Sequence, residues 1–137
     1  MWAEIEKIIE RLLRSKDLGV ESVSEVLDVK LEITTDSPLA RYYHAQIPAE
    51  PLRDVELRFI PETGVSFLVL RPHPDRPIVV SPDNLRNFGI PKWRSIEPKA
   101  SPEGEVAECF DIDGIELRVG YRTKSRQLEA ISLGSRA

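Results

Sequence analysis

Apolar and polar positions along this chain change their period several times, and each change marks an element. Trp2, Ile5, Ile8, Ile9, Leu12 and Leu13 recur at helical spacing, while Glu6, Lys7, Glu10, Arg11 and Arg14 fill the other positions. Residues 2–16 therefore read as an amphipathic helix. Glu10 and Arg14 form an i,i+4 pair in the favoured orientation, Lys16 complements the negative end of the helix dipole, and Gly19 can end the helix. Ser22 and Glu25 then have capping-box spacing, but Leu27, Val29, Leu31 and Ile33 alternate strictly with Asp28, Lys30, Glu32 and Thr34. That alternation predicts a strand over 26–34.

Asp36-Ser37-Pro38 breaks this run, and residues 39–47, with Tyr42 and Tyr43 among them, predict a second strand. Val55, Leu57 and Phe59 alternate with Asp54, Glu56 and Arg58 in a third. Pro61-Glu62-Thr63-Gly64 is a compact turn into residues 65–70, whose nearly continuous apolar character is that of a strand covered on both faces. The third and fourth strands should pair as a hairpin. Three prolines within residues 71–77 remove backbone donors and make a stiff connector. Ser81-Pro82-Asp83 supplies an N-cap, a proline for the first turn and an acid beside it, starting a short helix that Gly89 and Pro91 stop. Residues 93–96 predict a further short strand.

The most specific local signal lies near the carboxyl end. Residues 105–112 and 115–122 alternate on either side of Asp113-Gly114, and residues 127–133 alternate again. Asp-Gly between two such runs is the signature of a type I′ hairpin, in which both central residues need positive φ. The order of elements does not alternate strand and helix, which excludes a doubly wound parallel sheet. The expected fold is α+β: the N-terminal amphipathic helix packed on a twisted, mainly antiparallel sheet that ends in a three-stranded meander. The 137 residues suit one globular domain, long enough to bury roughly two-thirds of the unfolded surface.

Composition narrows the class of protein. With 41% apolar and 31% charged residues and a mean hydropathy of −0.27, the chain resembles a soluble globular protein. No apolar run reaches membrane-spanning length, and Glu4, Glu6, Lys7 and Glu10 interrupt the amino-terminal segment as a secretory signal would not tolerate. The cytoplasm is the expected compartment, and no membrane contact is expected. Cys109 is the sole cysteine, so an internal disulfide is impossible. With Glu108 and Asp111 close by, it lacks the electropositive setting of a reactive thiol.

The net charge of −4 argues against general phosphate-backbone binding. Glu103, Glu105, Glu108, Asp111 and Asp113 fall in a stretch without Lys or Arg, whereas Arg118, Arg122, Lys124 and Arg126 dominate the residues after Gly114. Cross-strand pairing explains both runs. The basic run with Tyr121 has the composition of a nucleic-acid stacking platform, but Arg118 and Arg122 share the solvent face of an amphipathic strand opposite Leu117, Val119 and Tyr121.

His44 and His73 are the only histidines and do not have metal-ligand spacing, so neither a metal nor a cofactor is expected. Asp111-Ile112-Asp113-Gly114 lacks the later ligands of a calcium loop. With no nucleophile motif and no phosphate-binding loop, the expectation is a non-catalytic protein-binding module. Its most concrete form is an immunity or inhibitor protein that neutralises a toxin or enzyme by direct binding. The candidate contact residues are Trp93, Tyr42 and Tyr43, with Glu103, Glu105, Glu108, Asp111 and Asp113 as acids that steer toward a basic partner. A small hydrolase using His44 with a carboxylate and a structural assembly subunit are the alternatives.

Overall fold

The computed structural model describes residues 2–47, 51–97 and 103–135. Three helices, α1 (Trp2–Ser15), α2 (Val20–Leu27) and α3 (Pro82–Arg86), accompany eight strands. The strands are β1 (Glu32–Asp36), β2 (Arg41–Gln46), β3 (Leu52–Ile60), β4 (Val65–Pro72), β5 (Trp93–Glu97), β6 (Glu105–Ile112), β7 (Ile115–Arg122) and β8 (Leu128–Ser135). They form one antiparallel sheet in the order β1-β2-β3-β4-β8-β7-β6-β5. Two four-stranded meanders thus meet at a seam between β4 and β8, where Leu68 stands opposite Leu133 and Leu70 opposite Ile131.

The α+β fold expected from the sequence is present, including the β3–β4 hairpin and the closing meander β6–β7–β8. Asp113 and Gly114 have φ of 51° and 87°, the two positive values a type I′ turn requires. Ser81 and Asn84 form the capping box of α3, and Pro82 opens the helix.

Two expectations are corrected. Residues 20–27 are helical, and the strand begins only at Glu32. Val20, Val23 and Val26 fall on one helical face, and only Val23 is fully buried. The Ser22–Glu25 spacing, set aside above in favour of a strand, is not the start signal either. Gly19 is the N-cap, and the Asp17 carboxylate accepts the Gly19 N–H at 2.8 Å and the Ser22 hydroxyl at 2.9 Å. Asp28 ends the helix in the left-handed region, its N–H turned back to helical carbonyls. The second correction concerns β4, which is covered on one face only. Ser66, Leu68 and Leu70 are buried, whereas Phe67 on the opposite face is exposed.

The core lies between the helices and that one face. Ile5, Ile9 and Leu12 of α1 pack with Val55, Leu57, Leu68, Leu117, Phe110 and Leu133, which are alternate residues of successive strands. Trp2 meets Phe88 edge-on and Phe88 meets Phe110 of β6, with ring centroids 6.5 and 5.8 Å apart. Farther along α1, Ile8 and Arg11 share a cavity wall with Ile47 and Leu52 near β3. A 14-residue helix is about 21 Å long, and β3 to β6 are four strand spacings, about 19 Å, apart. One helix therefore crosses most of the sheet.

Candidate functional site

Because β-strand side chains alternate, a sheet covered by helices on one face has a second set of residues to account for. Across the centre this set is Ile60, Val65, Phe67 and Val69 from β3 and β4, Ser132 and Gly134 from β8, Arg118 and Gly120 from β7, Cys109 from β6 and Trp93 from β5. Among the described residues no helix covers them. Ile60, Phe67 and Trp93 retain 40%, 39% and 39% of their accessible surface.

A groove runs along this face. Phe67 stands on one side and Trp93 on the other, with Ser132 and Gly134 between them. The depression continues past Arg118 to Val69, Gly120 and Ala130. Its two parts measure about 260 and 180 Å³. Small side chains make the floor. A Cβ on Gly134 would lie 3.5 Å from the Phe67 ring, and one on Gly120 would lie 2.8 Å from the Glu105 carboxylate, so both neighbours lean over bare backbone. The Arg118 guanidinium lies 5.5 Å from the Trp93 ring centroid, a cation–π contact on the groove wall. Beneath Trp93, Cys109 is buried. Burial and the nearby Glu116 carboxylate push its thiol pKa up, which keeps it protonated.

At the other end of the face, charge replaces apolar surface. Arg71 donates to Asp54 at 3.0 Å and to Glu56 at 3.2 Å, while Arg53 reaches Asp54 at 2.8 Å and Arg58 reaches Glu56 at 3.3 Å. Burial opposes ionisation of both carboxyls. The arginine hydrogen bonds and charges outweigh it, and both titrate below their ordinary values. His44 stands on this part of the face, in register with Glu32 on one side and Glu56 on the other. It lines neither part of the groove.

The residues singled out by sequence are dispersed. Trp93, Glu105, Asp111 and Tyr42 are on the open face, as their positions in the strand registers require. Tyr42 lies under the Arg58 guanidinium at 5.2 Å. Tyr43 is on the opposite face and packs against the core. Glu103 secures the β7–β8 turn by accepting the N–H groups of Lys124 and Ser125 and the Ser125 hydroxyl, each at 3.0 Å. Those bonds, led by the Ser125 N–H, hold its carboxyl below the usual range. Glu108 faces the helices and accepts the Tyr121 hydroxyl at 2.7 Å. Asp113 belongs to the hairpin turn. Tyr121 is buried, so it does not share a surface with Arg118 and Arg122, and Arg122 binds Glu129 at 2.6 Å.

Phe67 does not stand out in the sequence, because a continuous apolar run gives no sign of which alternate residues lack a cover. Among the described residues no three His, Cys, Asp or Glu side chains are grouped so as to hold a metal ion, and no helix is long and apolar enough to cross a membrane. Compared with protein-family models, curated proteins and solved structures, the chain gives no match.

Proposed function

We propose that this protein is a non-catalytic binding module that engages a protein partner through the uncovered face of its sheet, with Phe67 and Trp93 as anchors. The observation that carries this reading is the pair of half-exposed aromatics facing one another across a groove floored by Ser132 and Gly134. Aromatic anchors beside a depression are the usual centre of a protein interface, because they exchange much water for contact at small entropic cost. On the β5–β7 side Glu97, Glu105 and Asp111 share the face with Arg118 and Arg122, and Glu116 pairs with Lys92 at 3.6 Å, so the anchors are ringed by charges of both signs, as the polar rim of an interface is. The most concrete form is an inhibitor or immunity protein that covers the active site of a toxin or enzyme.

Calorimetry of the full chain against the products of genes adjacent to its own tests the reading. A partner bound by the native chain and lost in Phe67→Asp, with an unchanged circular dichroism spectrum, supports it. Binding that survives both Phe67→Asp and Trp93→Asp places the interface elsewhere and overturns the assignment of this face. Absence of binding to any neighbouring product removes the inhibitor form.

A further inference from the structure

A second concavity lies on the helix-covered side of the sheet, where α3, β5 and the β7–β8 turn come together. It encloses about 240 Å³. Arg86 of α3, Arg94 of β5 and Arg126 of the turn all line it, with Glu108 the one carboxylate among its lining residues. In a chain of net charge −4, three guanidiniums around one small cavity are a local reversal of sign. Leu85, Phe110, Pro82 and Pro91 give it apolar walls.

The positive groups are held in place. Arg126 adopts φ of 61°, a conformation that side-chain-bearing residues seldom take, and it is fixed there by backbone bonds in both directions: its N–H to the Arg122 carbonyl and its carbonyl from the Val80 N–H. Its Nε donates to the Val80 carbonyl, and its guanidinium lies 4.6 Å from the Tyr121 ring centroid. A guanidinium has five N–H donors, of which Val80 takes one. Glu108 is engaged by the buried Tyr121 hydroxyl at 2.7 Å, and Arg94 stands directly across the strand pair from it. Asp83 pairs with Arg86 from outside the cavity lining at 2.8 Å, which still leaves the lining with an excess of positive charge.

We propose that this cavity binds a small organic anion, a carboxylate or phosphate ester on an apolar body, with Arg94 and Arg126 on the charged group and Leu85, Phe110 and Pro91 against the remainder. Planar guanidiniums match the paired oxygens of either head group. The volume is below the roughly 300–1,000 Å³ of sites for drug-sized ligands, so the occupant is small. The site lies on the opposite side of the sheet from the Phe67–Trp93 groove and stands independently of the partner proposed there.

The probes are phenyl phosphate, benzoate and uncharged phenol, titrated into the full chain by calorimetry and by amide chemical shifts. Phenyl phosphate or benzoate is expected to saturate the site at or below about 1 mM, with phenol at least tenfold weaker, and the stronger of the two anions identifies the head group. Arg94→Gln is expected to weaken the anion about tenfold, whereas Arg118→Gln, which removes the same charge from the other face, leaves it unchanged. Arg126→Gln, which removes the other guanidinium assigned to the head group, provides a second variant should Arg94→Gln fold poorly. Three results overturn the proposal: no saturation by either anion up to about 10 mM, phenol binding as tightly as phenyl phosphate, or equal losses in the cavity variants and Arg118→Gln.

Discussion

Leu68 and Phe67 are neighbours on β4 that point to opposite faces, so truncating each to alanine measures what covers each face. Leu68 is fully buried and lies in register between Leu57 and Leu133, both also fully buried. Leu68→Ala removes the transfer energy of the lost carbons and leaves a cavity that two flanking strands prevent from collapsing. The expected loss is about 3–5 kcal/mol, or roughly 10–17 °C in Tm for a chain of this length. Phe67 is 39% exposed, so about three-fifths of its surface is covered. Full burial of a phenylalanine contributes about 1.5–3 kcal/mol, and the groove opens to water without trapping a void, so Phe67→Ala should cost about 1–2 kcal/mol. Urea unfolding followed by far-ultraviolet circular dichroism, at protein concentrations from about 1 to 100 μM, separates the two variants by midpoint at unchanged m-value. If Phe67→Ala costs as much as Leu68→Ala, or if its cost grows with concentration, the face that bears Phe67 is covered in solution and is not an open surface.

Backbone geometry and charge set the remaining outcomes. Gly114→Ala, at φ of 87° in the β6–β7 turn, should cost about 1 kcal/mol or more through strain alone, although open space surrounds the new methyl. Gly120→Ala should cost less, because the only atoms within 3.5 Å of the new Cβ are at the end of the Glu105 side chain; thermal unfolding of the pair that reverses this order would contradict the turn geometry. Asp54 and Glu56 titrate below their ordinary values of 3.8 and 4.5 when folded, so the stability they contribute is fully present above those values and is lost as the pH falls through the depressed folded ones. Arg71→Gln should therefore destabilise by about 1–2 kcal/mol near neutral pH, less than a fully buried pair because about a third of Arg71 meets water. Melting curves should show the variant and the parent converging below about pH 4; a constant gap down to about pH 2 would refute the linkage.

The elements with strong local rules are legible in the sequence. Asp113-Gly114 needs no tertiary context to specify its turn, and Ser81-Pro82 starts α3 where capping chemistry demands. The residues around α2 are not, because Leu27, Val29, Leu31 and Ile33 alternate as a strand would while Val20, Val23 and Val26 satisfy a helix. The decision rests on Asp17 reaching forward to Gly19 and Ser22, and on Asp28 accepting a left-handed conformation. The run through Phe67 reads as buried on both sides, since apolar content reports affinity for a cover and carries no information on whether the fold supplies one. Trp93 stands out in the sequence for its cationic neighbours, yet the cation that contacts it is Arg118, two strands away in the sheet. Arg86, Arg94 and Arg126 come from a helix, an edge strand and a turn, and only the tertiary fold brings them to one cavity.

The position of β8 at the seam has a consequence for synthesis. Residues 65–72 emerge from the ribosome about sixty residues before their partner on that side, residues 128–135, so the first meander waits with the β4 edge unpaired and the apolar face of Leu68 and Leu70 incompletely enclosed. Completion of the native sheet therefore waits on the long-range pairing of β4 with β8. Over that interval α1, made before either meander, can lie over the face of Leu68 and Leu70, while the backbone edge of β4 has no cover until β8 arrives.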